Sequence, residues 1–118
     1  MMDCCFWIKP GPDETLEGVA DHIYKRWTEL YTIEPEAWIE EWIDGGMVVF
    51  APGLWHHSEG QSAPMPWILT AAFLAAGYGE AWYGTEWGGF AGAVPVDQDM
   101  IVLFAMWVSG VSEDDLVG

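Results

Sequence analysis

Apolar and polar positions follow a helical rhythm from residue 13 to about 32. Leu16, Val19, Ala20, Ile23, Tyr24, Trp27, Leu30 and Tyr31 recur at the three- and four-residue spacings of one helix face. Asp13, Glu14 and Glu17 stand in the first turns, where carboxylates suit the positive end of the helix dipole. Asp21 precedes Lys25 by four residues, an ion-pairing spacing on a helix. Thr32, Ile33 and Pro35 end this segment. Pro35 then predicts a second helix over 35–44, since proline is favoured at the first helical position. Trp38, Ile39, Trp42 and Ile43 would form its apolar stripe, and Gly45-Gly46 would stop it.

The remaining pattern is more compact. Residues 4–8 form an apolar run closed by Lys9-Pro10-Gly11-Pro12, which predicts a first strand. Residues 47–51 form a second such run and predict a buried strand. A polar loop is expected over 54–64. Residues 65–76 predict a third helix, apolar nearly all round and therefore central and buried. Glycines and aromatics alternate over 77–92, which predicts a twisted hairpin or loops with a strand at 81–83. Over 97–108 the apolar run is short enough to fit either state, and Asp97 as an N-cap with Asp99 in the first turn tips it toward helix. Ser112 with Glu113, Asp114 and Asp115 fits a capped last turn or an acidic tail. The expected fold is α+β: three or four helices packed on a small, mostly antiparallel sheet, with an aromatic-rich core, in one compact domain over 1–118.

Composition sharpens this picture. The chain has 118 residues, 52% of them hydrophobic, and nine tryptophans, so its net charge of −16 must clothe a packed body and not a disordered tail. Three basic residues cannot displace the counterions of a nucleic acid, and the same repulsion excludes an anionic membrane surface. The charge selects a basic protein or ribonucleoprotein complex as partner. Cys4 and Cys5 are neighbours, unsuited to a disulfide or a CxxC site, and read as thiols in a reducing cytoplasm. The apolar runs fall short of the roughly 20 residues that span a bilayer.

Specific chemistry is sparse. His56-His57 with Glu59 lacks the regular spacing of a zinc site, even with His22 or Asp44 added, so no metal is expected. Glu80 and Glu86 flank Trp82 and Trp87, a combination that sugar sites use but that an aromatic core joined by glycine turns also produces. Gly77-Tyr78-Gly79 begins a dinucleotide fingerprint, but Trp82 occupies the third glycine position. No nucleophile elbow or phosphate loop is present. No cofactor and no catalytic residue are expected.

The acidic positions remain. Residues 13–44 carry ten acidic residues against Lys25 and Arg26, half of the net charge. On a helix, Asp13, Glu17 and Asp21 would fall in one row, and Glu36, Glu40 and Asp44 in another that Glu41 widens. Four-residue steps of about 6 Å approximate the interval between phosphates of one nucleic-acid strand. In size and charge, and in these seven residues, the chain resembles at class level the small acidic inhibitors encoded by phages and mobile elements. These include anti-CRISPR and anti-restriction proteins, some of them DNA mimics. The resemblance implies non-catalytic binding that blocks a basic DNA or RNA site in the host cytoplasm. The chain is richer in tryptophan than the most extreme mimics, which leaves room for an aromatic hot spot with an acidic rim. Two alternatives stand beside it: an immunity protein or antitoxin that neutralises a basic nuclease, and a small enzyme or ligand-binding protein built on 77–92.

Overall fold

A computed structural model describes residues 2–31, 34–41, 45–52, 55–56, 65–85 and 88–102. Its centre is β1 (Met2–Pro10). Cys4, Cys5, Phe6, Trp7 and Ile8 are all at most 2% exposed. A near-continuous apolar run is what a strand covered on both faces requires. Alternation then divides it: Cys4, Phe6 and Ile8 join one cluster and Cys5 and Trp7 another. Cys4 and Cys5 therefore sit as thiols on opposite faces of the sheet.

Around β1 the chain lays down α1 (Leu16–Leu30), β2 (Glu36–Glu40), β3 (Met47–Ala51), β4 (Trp55–His56), α2 (Met65–Ala76), β5 (Gly79–Thr85) and β6 (Val94–Pro95). A single 3₁₀ turn, Phe90–Gly92, precedes β6. The strand order is β2-β3-β1-β5-β6, with β4 pairing the start of β1 outside that path. All of these pairings are antiparallel. β1 and β2 therefore run the same way with β3 between them, and α1 makes the crossover. β3 and β5 flank β1 in the same sense, and α2 makes that crossover. This is the split β-α-β connectivity of ferredoxin-like sheets, which by itself carries no function.

Both helices cover one face. Val19, Ile23 and Trp27 of α1 and Ile68, Ala71, Ala72 and Ala75 of α2 meet Phe6, Ile8, Val48 and Phe50. The Phe50 ring packs edge-on to Trp27 at 5.6 Å and lies 6.5 Å from Phe6. Tyr31 stacks beside Trp27 at 4.4 Å, and its hydroxyl donates to Thr70 Oγ1 at 3.1 Å, tying the end of α1 to α2. On the other face Trp7, Met47, Val49 and Ala51 are buried with Trp38, Trp82, Phe90 and Ala93 against them.

The α+β class stands, and the strand over 47–51 and the helix over 65–76 lie where the pattern puts them. Other expectations need correction. Residues 36–40 form a strand and not a helix. Trp38 and Ile39 face opposite sides of the sheet, and Gly45 and Gly46 (φ 78° and 77°) turn the chain into β3 instead of ending a helix. The first helix begins later than Asp13: Thr15 caps it by accepting from the Gly18 N–H at 3.0 Å, and Asp13 lies in the preceding turn. α2 is not buried all round. It presents a face of small residues to the sheet and leaves Phe73 55% exposed. The strand expected at 81–83 extends over all of β5, where Gly79 meets Pro10. A Cβ on Gly79 would come 2.1 Å from the Lys9 carbonyl oxygen, at a φ of 152° that disfavours other residues. Residues 98–102 are helical, and Asp97 Oδ1 caps them by accepting from the Met100 N–H at 2.9 Å. The remainder of 97–108, and Ser112 to Asp115, lie outside the described residues.

Deleting the Phe50 ring removes the contact shared by β1, β3 and α1. Phe50→Ala is expected to lower unfolding free energy by about 3–5 kcal/mol. Phe73→Ala, on the exposed side of α2, is expected to change it by less than about 0.5 kcal/mol. Urea denaturation followed by tryptophan fluorescence measures both.

Candidate binding surface at the sheet edge

An open groove of about 380 Å³ runs between α1 and β2. Glu17, Ala20, Asp21 and Tyr24 form its helical wall. They follow one another at the helical repeat, beside the buried stripe of Val19, Ile23 and Trp27. Ala37, Trp38 and Ile39 form the strand wall. The groove exists because α1 packs on β2 and β3 at the margin of the sheet, where the strand order ends.

Alternation along β2 sorts its residues. Ala37 packs toward the helices, and Trp38 packs on the other face against the cluster of Trp7, Met47 and Val49. Glu36 and Glu40 lie two residues either side of Trp38 and so share its face. Glu40 accepts a hydrogen bond from Trp38 Nε1 at 3.3 Å. Glu41 is exposed in the turn that follows. On α1, Glu17 is exposed in the first turn, and Asp21 makes an exposed ion pair with Lys25 at 3.1 Å. Arg26 pairs with Glu29 at 3.0 Å. Exposed pairs of this kind contribute about 0–1 kcal/mol and leave the surrounding field negative.

The fold thus gathers some of the seven acidic residues and separates others. Glu17 and Asp21 line the groove, Glu36 and Glu40 bracket its strand wall, and Glu41 follows. Asp13 lies in the turn before α1, and Asp44 lies outside the described residues. The change from helix to strand also changes the charge spacing. Glu36 and Glu40 are separated by about 13 Å along a strand, where a helix would bring them to about 6 Å. A phosphate-by-phosphate match is therefore lost at this element. From the sequence, Ala20, Tyr24 and Ile39 read as apolar stripe positions and not as part of a binding surface, and Ala37 carried no role. The sequence carries no clean two-residue period here, since Ala37, Trp38 and Ile39 are consecutive apolar residues. The signal that could have found the strand was the Gly45-Gly46 turn leading into the apolar run 47–51.

Glu34, just before β2, anchors the groove. The Tyr24 hydroxyl donates to Glu34 Oε1 at 2.6 Å. That hydrogen bond to the carboxylate, then desolvation and the nearby negative charge, raise the Tyr24 pKa above its ordinary value. Two residues before Tyr24 on α1, His22 Nδ1 lies 2.7 Å from the Tyr78 hydroxyl. Burial and the charge of Glu14 raise the Tyr78 pKa, and Arg26 offsets part of the rise.

The other candidates fall differently. The His56, His57 and Glu59 side chains lie outside the described residues, and among the described residues no group of three His, Cys, Asp or Glu could hold a metal. Trp82 packs edge-on against Phe90 at 5.3 Å, while Glu80 is exposed; Glu86 and Trp87 lie outside the described residues. Burial and the neighbouring Cys4 and Cys5 push the Tyr83 pKa far up, so its hydroxyl keeps its proton. No described helix is long and apolar enough to cross a membrane. No protein-family model, curated protein or solved structure matches the chain.

The Tyr24–Glu34 contact carries a pH signature. A tyrosine pKa raised by folding contributes stability that is complete below the unfolded value near 10 and disappears as pH climbs through the folded value. Glu34→Gln is expected to bring Tyr24 titration back toward 10. NMR titration of the Tyr24 ring resonances above pH 9, in both proteins, is the measurement; an unchanged midpoint would show that Glu34 is not the cause.

Proposed function

We propose that the protein acts by stoichiometric binding, without catalysis, to a basic protein or ribonucleoprotein complex, and that its acidic surface blocks the partner's DNA or RNA site. This is inhibition of the anti-CRISPR or anti-defence type. One observation carries the reading: Glu17 and Asp21 line the groove beside β2, and Glu36 and Glu40 stand on the opposite face of that same edge strand, in a chain with three basic residues. Two of those, Lys25 and Arg26, are already paired with Asp21 and Glu29. Such a surface repels nucleic acid and steers a cationic surface toward itself. The strand spacing of Glu36 and Glu40 favours occlusion of the basic site by field and shape over a literal copy of a phosphate row. Cys4 and Cys5, buried and not bridged to each other, fit a reducing cytoplasm.

The triple variant Glu17→Lys, Glu36→Lys, Glu41→Lys changes three exposed positions and is expected to retain the fold by circular dichroism. In a pull-down from host lysate, the wild-type protein is expected to retain a basic nucleic-acid-binding partner at about 0.05 M salt and to lose it by about 0.5 M. The variant is expected to retain none at either concentration. Capture of the same partner by the folded variant, with unchanged salt dependence, would rule out this surface as the contact.

A further inference from the structure

The two ends of the main sheet are finished differently. At one end β6 is two residues long and contains Pro95, which lacks a backbone donor and blunts that edge. At the other end β2 is five residues long. Its inner edge pairs with β3 from Glu36↔Ala51 to Glu40↔Met47, and among the described residues no strand pairs with its outer edge. Alternate N–H and C=O groups of that edge therefore point outward, beside the groove roofed by α1.

We propose that this outer edge takes an extended basic segment of the partner as an added antiparallel strand. The inference rests on the reading of a basic partner given above and names how that partner is held. A helix beside an open strand edge suits this mode: main-chain hydrogen bonds supply affinity, and alternate side chains supply specificity. One face of the incoming strand lies beside Glu36, Trp38 and Glu40. Lys or Arg at two positions four apart meets the two carboxylates, and an aliphatic residue midway lies beside Trp38. The other face points into the groove, where Ala20, Tyr24, Ala37 and Ile39 accept small aliphatic side chains.

Charge also decides against a second copy of this chain. Antiparallel pairing of β2 with itself about Trp38 sets Glu36 of each copy opposite Glu40 of the other. Like charges directly opposite one another destabilise a strand pair. The carboxylates that discourage self-pairing are the ones that select a cationic strand.

The test uses a synthetic capped peptide, Thr-Lys-Val-Ile-Val-Lys-Thr, titrated into the full chain by calorimetry and by NMR of the β2 amides. The parent peptide is expected to bind and to shift the amides of residues 36–40. Replacing both lysines by glutamate is expected to abolish binding. Two further peptides carry N-methyl groups on the odd or on the even positions, keeping the charge but removing donors from one edge at a time. One pattern is expected to weaken binding at least about tenfold and the other to leave it near the parent value, because only one edge of an added strand faces β2. Equal effects of the two patterns would overturn strand addition. So would a dimer of the protein whose interface maps to β2. If no peptide binds while the pull-down partner is still lost on charge reversal, strand addition fails and the acidic-surface reading survives. If the charge-reversed variant keeps that partner, the broader reading itself has failed.

Discussion

Everything in this structure depends on β1 being covered on both sides. Five consecutive residues, Cys4 to Ile8, reach essentially complete burial, and alternation sends them into two separate clusters. A strand so placed must have a neighbour along each edge, and β3 and β5 fill those positions. Once β3 holds the edge beside β1, β2 can pair only with the far side of β3 and becomes the end of the sheet. The helices follow from the same constraint. Phe6, Ile8, Val48 and Phe50 require cover on one face, and α1 and α2 supply it with Val19, Ile23, Trp27 and a row of alanines.

The groove is a by-product of that packing. α1 must lie over β2 and β3 to bury Trp27 on Phe50, and its next stripe, Glu17 to Tyr24, is then left beside the sheet margin. Apolar cover within, carboxylates nearby and a strand edge that no described strand pairs coincide because one helix sits at the end of one sheet. The Tyr24–Glu34 hydrogen bond joins the helix to the segment entering β2.

The sequence made the layers legible where burial alone decides the outcome. The run at Met47–Ala51 is apolar throughout and flanked by glycine and proline, so it reads as a strand with no competing period. α1 is long enough for its 3.6-residue stripe to be unmistakable, although the cap at Thr15 was hidden within an acidic stretch. Residues 36–40 fail for a physical reason. Glu36 and Glu40 four apart, with Trp38-Ile39 continued by Trp42-Ile43, make a helical stripe. Trp38 between two glutamates breaks the polar–apolar alternation of a half-buried strand, because both faces of β2 are partly covered. The outcome is settled outside the segment, by the hairpin with β3 and the left-handed glycines 45 and 46. For the surface, sequence named Glu17 and Asp21 of the helical wall and the carboxylates of β2. It could not show that they meet at one sheet edge, because that depends on the order of strands in the sheet.

The pairing of β1 with β5 has a kinetic side. Phe6 meets Tyr83 and Ile8 meets Ala81, so the central strand is completed by residues most of a chain length away. Closing so long a loop is entropically costly, and topologies dominated by such distant pairings fold more slowly than local ones. The α1 helix and the β2–β3 hairpin can form early, while one edge of β1 waits for its neighbour. During that interval an exposed run of Cys-Cys-Phe-Trp-Ile invites contact with other unfinished chains. The charge of −16 opposes such contact through mutual repulsion. The acidity that shapes the finished surface therefore also protects the molecule before that surface exists.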